Sequence, residues 1–158
     1  RCPAGNRRWS VCWWKVCEGK VNFDDDVCEN AYGWWKITTG KVDFQYTGLA
    51  QNACGWWMIQ NGHVNFGSNG LVDNGNGWWL VKNGGVDFNY NGLVDNGNGW
   101  WLIRNGYVDF NYNGLVDNGN GWWLVKNGCV DFSYQGYVQN ECGVWWVSNW
   151  SGTVLTNN

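Results

Sequence analysis

The side chains with most capacity for chemistry in this chain are indoles. Sixteen Trp stand among 158 residues, and fourteen of them form seven adjacent pairs. The pairs are Trp13-Trp14, Trp34-Trp35, Trp56-Trp57, Trp78-Trp79, Trp100-Trp101, Trp122-Trp123 and Trp145-Trp146, spaced by 21, then 22 four times, then 23. A half-exposed indole beside a carboxylate or amide can stack on a sugar face, or attract a quaternary ammonium group through its π-cloud. Asp43, Asp87, Asp109 and Asp131 supply that neighbour where Asn22 and Asn65 stand in other copies. Both types form hydrogen bonds, but only Asp adds attraction for a cation. A chemistry present in every copy favours multivalent binding over one catalytic centre. There is no Ser/His/Asp set and no phosphate loop, and carboxylate pairs recur only as repeats, so we expect no enzyme.

No metal or cofactor is expected either. Asp24-Asp25-Asp26 reads as a solvated loop rather than a calcium site, and the Asp-Asn-Gly-Asn-Gly links lack the acidic ligand count that calcium needs. The single His, His63, falls at a hairpin corner and reads as a solvated turn residue.

The elements that position these residues follow from the period, because regular spacing of about 20 to 50 residues marks a repeat array. Residues 77–98 and 99–120 differ only at Val81/Ile103, Lys82/Arg104 and Gly85/Tyr107. Within a copy, Trp-Trp-Leu-Val-Lys and Gly-Val-Asp-Phe-Asn-Tyr flank Asn83-Gly84, the strongest short signal for a two-residue hairpin turn with positive φ at both positions. The turn recurs at Asn61-Gly62, Asn105-Gly106 and Asn127-Gly128, with Thr39-Gly40 and Glu18-Gly19 as weaker forms. That register pairs Lys82 with Gly85, Val81 with Val86, Leu80 with Asp87 and Trp79 with Phe88. Alternation then places Trp79, Val81, Val86 and Phe88 on a core face, and Trp78, Leu80 and Lys82 on a mixed one. The position of Leu80 is Lys15 and Lys36 in earlier copies, which argues against dry core there. The position after the turn (Lys20, Lys41, His63, Gly85, Tyr107, Cys129) shares nothing but expected exposure. Leu93 and Val94 belong to a link in which Leu93 tucks inward. A lone hairpin is barely stable, so copies must stack. The expected fold is all-β: a β-hairpin solenoid of about six and a half 22-residue units with disulfide-stapled ends. Residues 1–11 would form a cap, 12–144 six Trp-Trp repeats, and 145–158 a capping hairpin.

A net charge of −3 with a pI near 4.9 argues against nucleic acid, which demands a basic stripe. No apolar run approaches the roughly 18 residues of a membrane span. A start at Arg1 reads as a processed or excised form. Seven cysteines gather toward the two ends, which suggests terminal staples and an oxidising, extracellular setting, secreted or at a cell surface. Local clustering pairs Cys2 with Cys12, Cys17 with Cys28 and Cys129 with Cys142. Cys54 is then the odd thiol, able to link chains.

The order Gly-Trp, short strand, Asn-Gly, Val-Asp-Phe-x-Tyr, Asn-Gly-Leu-Val resembles the choline-binding and glucan-binding cell-wall repeats of Gram-positive surface proteins, over roughly residues 12–145. The resemblance implies a hairpin solenoid with ligands held between successive hairpins in cages of two or three aromatic side chains. Its Gly-Trp aromatic corresponds to Trp34, Trp56, Trp78, Trp100 and Trp122. Its aromatic strand corresponds to Phe44, Phe66, Phe88, Phe110 and Phe132, with Tyr46, Tyr90, Tyr112 and Tyr134 two residues on. The expected binding set is those five Trp with Phe88, Phe110, Tyr90, Tyr112, Asp87, Asp109 and Asp131. Expected partners are a glycan, teichoic-acid choline or another cell-wall polymer. Doubled Trp, a thinned aromatic triplet and cysteines depart from that pattern. Two alternatives stay open: first indoles packed by their neighbours with solvated Asp, and a structural rod that self-associates through open ends.

Overall fold

The computed structural model describes residues 13–148 and the backbone of 156–157; these are β-strands and turns, with no helix among them. The chain divides into two compact units. One takes residues up to Asn74 together with Val81–Val86, and the other takes Gly75–Leu80 and Asp87 onward.

In the second unit each copy is a small three-stranded ladder. Strand Gly92–Asp95 pairs antiparallel with Trp100–Arg104, matching Leu93 to Leu102 and Asp95 to Trp100. Trp100–Arg104 then turns at Asn105-Gly106 and pairs with Tyr107–Val108 through Ile103↔Val108 and Arg104↔Tyr107. Asn105 sits at φ 50° and Gly106 at φ 76°, the positive values expected of that turn. The register read from the sequence holds, including Val81↔Val86 and Lys82↔Gly85 in the first unit.

Two expectations are corrected. The returning strand stops early: Asp109 Oδ1 accepts the Asn111 N–H (3.1 Å), and the Tyr112 N–H reaches Asp109 O (3.3 Å), so the chain bends away. In the copy before, Tyr90 N–H reaches Asp87 O in the same way (3.3 Å). Trp79 therefore does not pair with Phe88. Its partner is Tyr107 of the next copy, just as Trp101 pairs with Cys129, so each short strand bridges two long ones. The Gly-Leu-Val-Asp link is also a full strand.

The second correction concerns the core. Leu80, Leu102 and Leu124, placed on a mixed face, are 3%, 4% and 6% exposed, deeper than either Trp of their pairs. Leu102 gathers with Leu93, Val125 and Val130, and Trp100 and Trp123 pack against the outside. Lys36 occupies the same buried place. It survives because its ammonium donates to Ile37 O (2.5 Å) and stands 3.7 Å from Asp25, while its aliphatic stem fills the Leu volume.

Hairpin tips nest on the copy before. A Cβ on Gly84 would come within 2.5 Å of Asn65 O, so only glycine fits. The Gly84 N–H donates to Ser68 O, and the Asn83 N–H to the Asn69 side chain (3.0 Å). Gly106, Asn105 and Asn91 repeat this in the second unit.

The last strand pair, Gln135–Asn140 on Gly143–Ser148, matches Val138 to Trp145 and Gln139 to Val144. In the second copy the same ladder places Cys28 against Trp35 and Glu29 against Trp34. Trp145 thus stands where second indoles stand, and Val144 replaces the first indole. This explains the final 23-residue step.

The staples at Cys17–Cys28 and Cys129–Cys142 are not formed: Cys17, Cys28, Cys54, Cys129 and Cys142 are free thiols. Cys28 instead donates to Asp26 Oδ2 (3.2 Å), and Cys129 Sγ lies over Gly99, 3.3 Å from where a Cβ would stand. Burial, then the hydrogen bond and charge of Asp26, push the Cys28 thiol up to about 11. Burial, then the charge of Asp131, raises Cys129. Cys2, Cys12 and the proposed cap lie outside the described residues.

Candidate functional site

The joints between copies collect aromatic rings from both sides. Trp78 stands 5.8 Å from Trp101 (ring centroids, 39° between planes) and 6.4 Å from Phe110, and Trp101 meets Phe110 edge-on at 5.6 Å. The rule is the first indole of one copy with the second indole and the Phe of the next. It repeats in the first unit as Trp34 against Trp57 (6.0 Å) with Phe66, and as Trp13, Trp35 and Phe44.

One such joint encloses a cavity of about 110 Å³ lined by Trp100, Trp123, Phe132, Leu93, Val130 and Asn118. Two indoles and a phenyl form its sides, two aliphatics its floor, and a neutral amide its sole polar wall. Trp123 and Phe132 were not both expected in such a cage. The sequence reading assigned second indoles to the core, whereas Trp101 and Trp123 are only half-buried. The early bend at Asp109 and its equivalents turns each Phe out of the sheet and toward the indole. An Asx motif, Asp-x-x-Tyr following the Val, was the available signal.

The expected binding residues divide. The structure brings Trp78 and Phe110 together, and Trp100 with Trp123 and Phe132, while Trp34 joins Trp57. Trp122 is 42% exposed. Phe88 meets Trp79 at 5.7 Å, and Trp56 is half-buried. The hydroxyls of Tyr90 and Tyr112 donate to Leu93 O (3.3 Å) and Leu115 O (2.9 Å). Asp109 pairs with Arg104 (3.3 Å), and the Arg104 guanidinium lies 4.4 Å above the Tyr112 ring. Asp131 pairs with Lys126 (2.9 Å), whose ammonium covers Tyr134 at 4.6 Å. The Ser133 hydroxyl, then Lys126, holds the Asp131 carboxyl below the usual range. Asp87 caps its own turn by accepting from the Asn89 N–H. Asp131 does not line the cage, so these carboxylates serve turns and cation–Tyr contacts.

The position after the turn is exposed as expected at Lys20 and Lys41 but half-buried at His63, Gly85, Tyr107 and Cys129. Lys41 lies 4.4 Å over Trp14, His63 stands edge-on to Trp35 at 4.8 Å, and Tyr107 to Trp79 at 5.0 Å. These residues cover the second indole of the preceding copy. The acidic run is divided: Lys15 pairs with Asp26 (2.7 Å) and the Thr39 N–H reaches Asp25. Among the described residues no cluster of His, Cys, Asp or Glu could hold a metal.

The fold and its joints thus define an array of stacked hairpins with aromatic pockets between neighbours. A model of the choline-binding repeat matches residues 45–65, 67–87, 89–109 and 111–131, just over half of the chain. The chain belongs to the choline-binding repeat family. Solved structures it is similar to include CbpJ from Streptococcus pneumoniae, at 17% identity and TM-score 0.39, covering 92% of this chain and 50% of that one. Choline binding protein F of the same species, in the presence of a peptidoglycan analogue, gives 17% identity and TM-score 0.36, covering 86% and 42%. The endolysin of phage Cp-1, complexed with choline, gives 16% identity and TM-score 0.37, covering 91% and 40%. This chain spans half or less of each of them. Curated proteins give no significant match. Family membership rests on the repeat match alone.

Proposed function

We propose that the chain is a multivalent cell-wall binding module, secreted or at the cell surface, whose inter-hairpin cages take trimethylammonium groups such as the choline of teichoic acid. The cage of Trp100, Trp123 and Phe132 carries this reading. Its volume of about 110 Å³ is well below the roughly 300–1,000 Å³ of sites that engulf larger ligands. Its walls offer ring faces and one amide, which suits a methylated cation and offers little to the hydroxyls of a sugar. Cation–π attraction is worth about 2 kcal/mol or more per ring when desolvated, so two or three rings suffice without a carboxylate. Recurrence of the cage makes the module multivalent: several weak sites on one polymer raise avidity by roughly 10² to 10⁴.

Titrating choline into the full chain while following Trp emission and heat tests the reading. Saturable quenching with more than one site per chain is expected, together with retention on a choline-substituted matrix. A chain that neither quenches nor binds, and that sediments as growing polymers, would overturn it in favour of a self-associating rod.

A further inference from the structure

The third copy departs at three positions at once from the pattern shared by copies four to six. Where copies five and six carry Arg104, Asp109 and Tyr112, and Lys126, Asp131 and Tyr134, the third carries Gln60, Asn65 and Ser68. In the charged copies the cation is occupied twice, by the carboxylate and by the Tyr ring. In the third copy the Asn65 amide donates to Gln60 Oε1 (2.9 Å), keeping the cross-hairpin contact without charge. The joint loss of cation, carboxylate and ring leaves an open cleft of about 390 Å³ lined by Gln60, Asn61, His63, Val64, Asn65 and Phe66.

From this we infer that the Gln60–Asn65 cleft is a second kind of site, which takes a neutral sugar ring of a glycan. No carboxylate, Lys or Arg lines it, so neither a cation nor an anion finds a counter-charge. One ring, Phe66, faces it at 46% exposure, too little to box a quaternary ammonium but enough to carry a pyranose face. The Gln60 amide N–H groups remain as donors, because the Asn65 contact uses only its carbonyl. Asn65 Oδ1 accepts the Gly67 N–H (3.0 Å) and keeps a second lone pair. His63, fixed edge-on against Trp35, adds a further polar group at the rim. Amides beside one aromatic face match the alternating hydroxyls and apolar face of a sugar. The inference does not depend on the choline reading; the two sites share only Phe66.

Side-chain amide resonances of the ¹⁵N-labelled full chain provide the test, with chitotetraose and maltotetraose as separate probes. One of the two should shift the Gln60 and Asn65 amide signals and the His63 ring signals saturably. The double variant Gln60→Lys with Asn65→Asp restores the pair found in copies four and six, so it is compatible with the hairpin. It should weaken sugar binding by about tenfold or more, the scale of one or two lost hydrogen bonds, while choline quenching of Trp emission stays unchanged. Absence of shifts at these residues with both sugars, or His63 ring shifts that persist undiminished in the double variant, would overturn the assignment. Loss of choline quenching in the parent chain bears only on the cages.

Discussion

The cage at Trp100, Trp123 and Phe132 and the cavity around Trp13, Trp14 and Trp35 are both walled by indoles, yet one measures about 110 Å³ and the other about 450 Å³. The small one lies between the fifth and sixth copies, and Leu93 and Val130 close its floor. The large one is lined by Lys15, Glu29, Asn30 and the thiols of Cys17 and Cys28 as well as by indoles. There the turn sequence has become Asp24-Asp25-Asp26, and Lys15, at the place of a core Leu, reaches out to Asp26. The rings alone therefore do not define a tight site. Aliphatic side chains line both, with Ile37 and Val42 in the large one, so the difference lies in the charged and polar groups that the large cavity adds.

The largest effect should come from the small cage. Trp123→Ala removes a desolvated ring worth about 2 kcal/mol, so choline affinity there should fall roughly thirtyfold. Calorimetry should then count one strong site fewer. Trp35→Ala in the wide, wetter cavity should cost much less, and equal losses at both would break the comparison.

Next in size is stability. Leu102→Ala should destabilise by about 2–5 kcal/mol, the usual range for a buried Leu, in denaturant melts. Lys36→Leu, at the equivalent place in the first unit, should be neutral or stabilising, since well-packed apolar groups often match buried ion pairs. A strongly destabilised Lys36→Leu would show that the charge itself is needed.

Smaller pH effects separate the two regions further. At Asp26 burial opposes the charge, but the Lys15 ammonium, the Cys28 thiol and the Val27 N–H outweigh it and hold the carboxyl below 3.8. A depressed carboxyl contributes stability at higher pH that is lost as pH falls through and below about 4. The Cys28 thiol behaves oppositely. Raised from 9.0 to about 11, it favours folding below pH 9, and that contribution disappears as pH climbs toward 11. Melting temperatures of Cys28→Ser should fall less steeply over that alkaline window than those of the parent chain; identical slopes would rule the thiol out as the cause.

The smallest effect is kinetic. At pH 8 a maleimide should modify exposed Cys54 and Cys142 before Cys28 and Cys129, whose thiolates are disfavoured, as read by mass spectrometry. Early modification of Cys28 would contradict its buried hydrogen bond to Asp26.

Local rules made part of this molecule readable. Asn-Gly dictates its turn whatever surrounds it, so positive φ at Asn83 and Asn105 and the pairing Val81↔Val86 could be read from the chain. The inter-copy joint with first indoles in it followed from the family resemblance. What lay beyond reach depended on non-local choices. Lys at position 36 suggested solvent, but its reach to Ile37 O and Asp25 reconciles it with burial. The exit of Phe110 from the sheet is set by the Asp109 side chain, which competes with the ladder for backbone N–H groups. The second face of the cage followed only once that competition was resolved. Trp145 looked like a first indole because pairs were counted by adjacency, while its ladder partner Val138 assigns it to the second position.

The nesting of each hairpin tip on its predecessor has a genetic consequence. Gly84 settles on the backbone at Asn65, and Gly106 on that at Asp87, through the same glycine-and-amide joint. Each copy therefore carries a matching plug and socket. An in-frame duplication or deletion of one 22-residue segment leaves every remaining plug facing a socket it already fits. The array can lengthen or shorten in single steps without inventing a new interface, and each step adds or removes one aromatic joint. Near-identity of the central copies is what recent duplication of such a segment would leave behind.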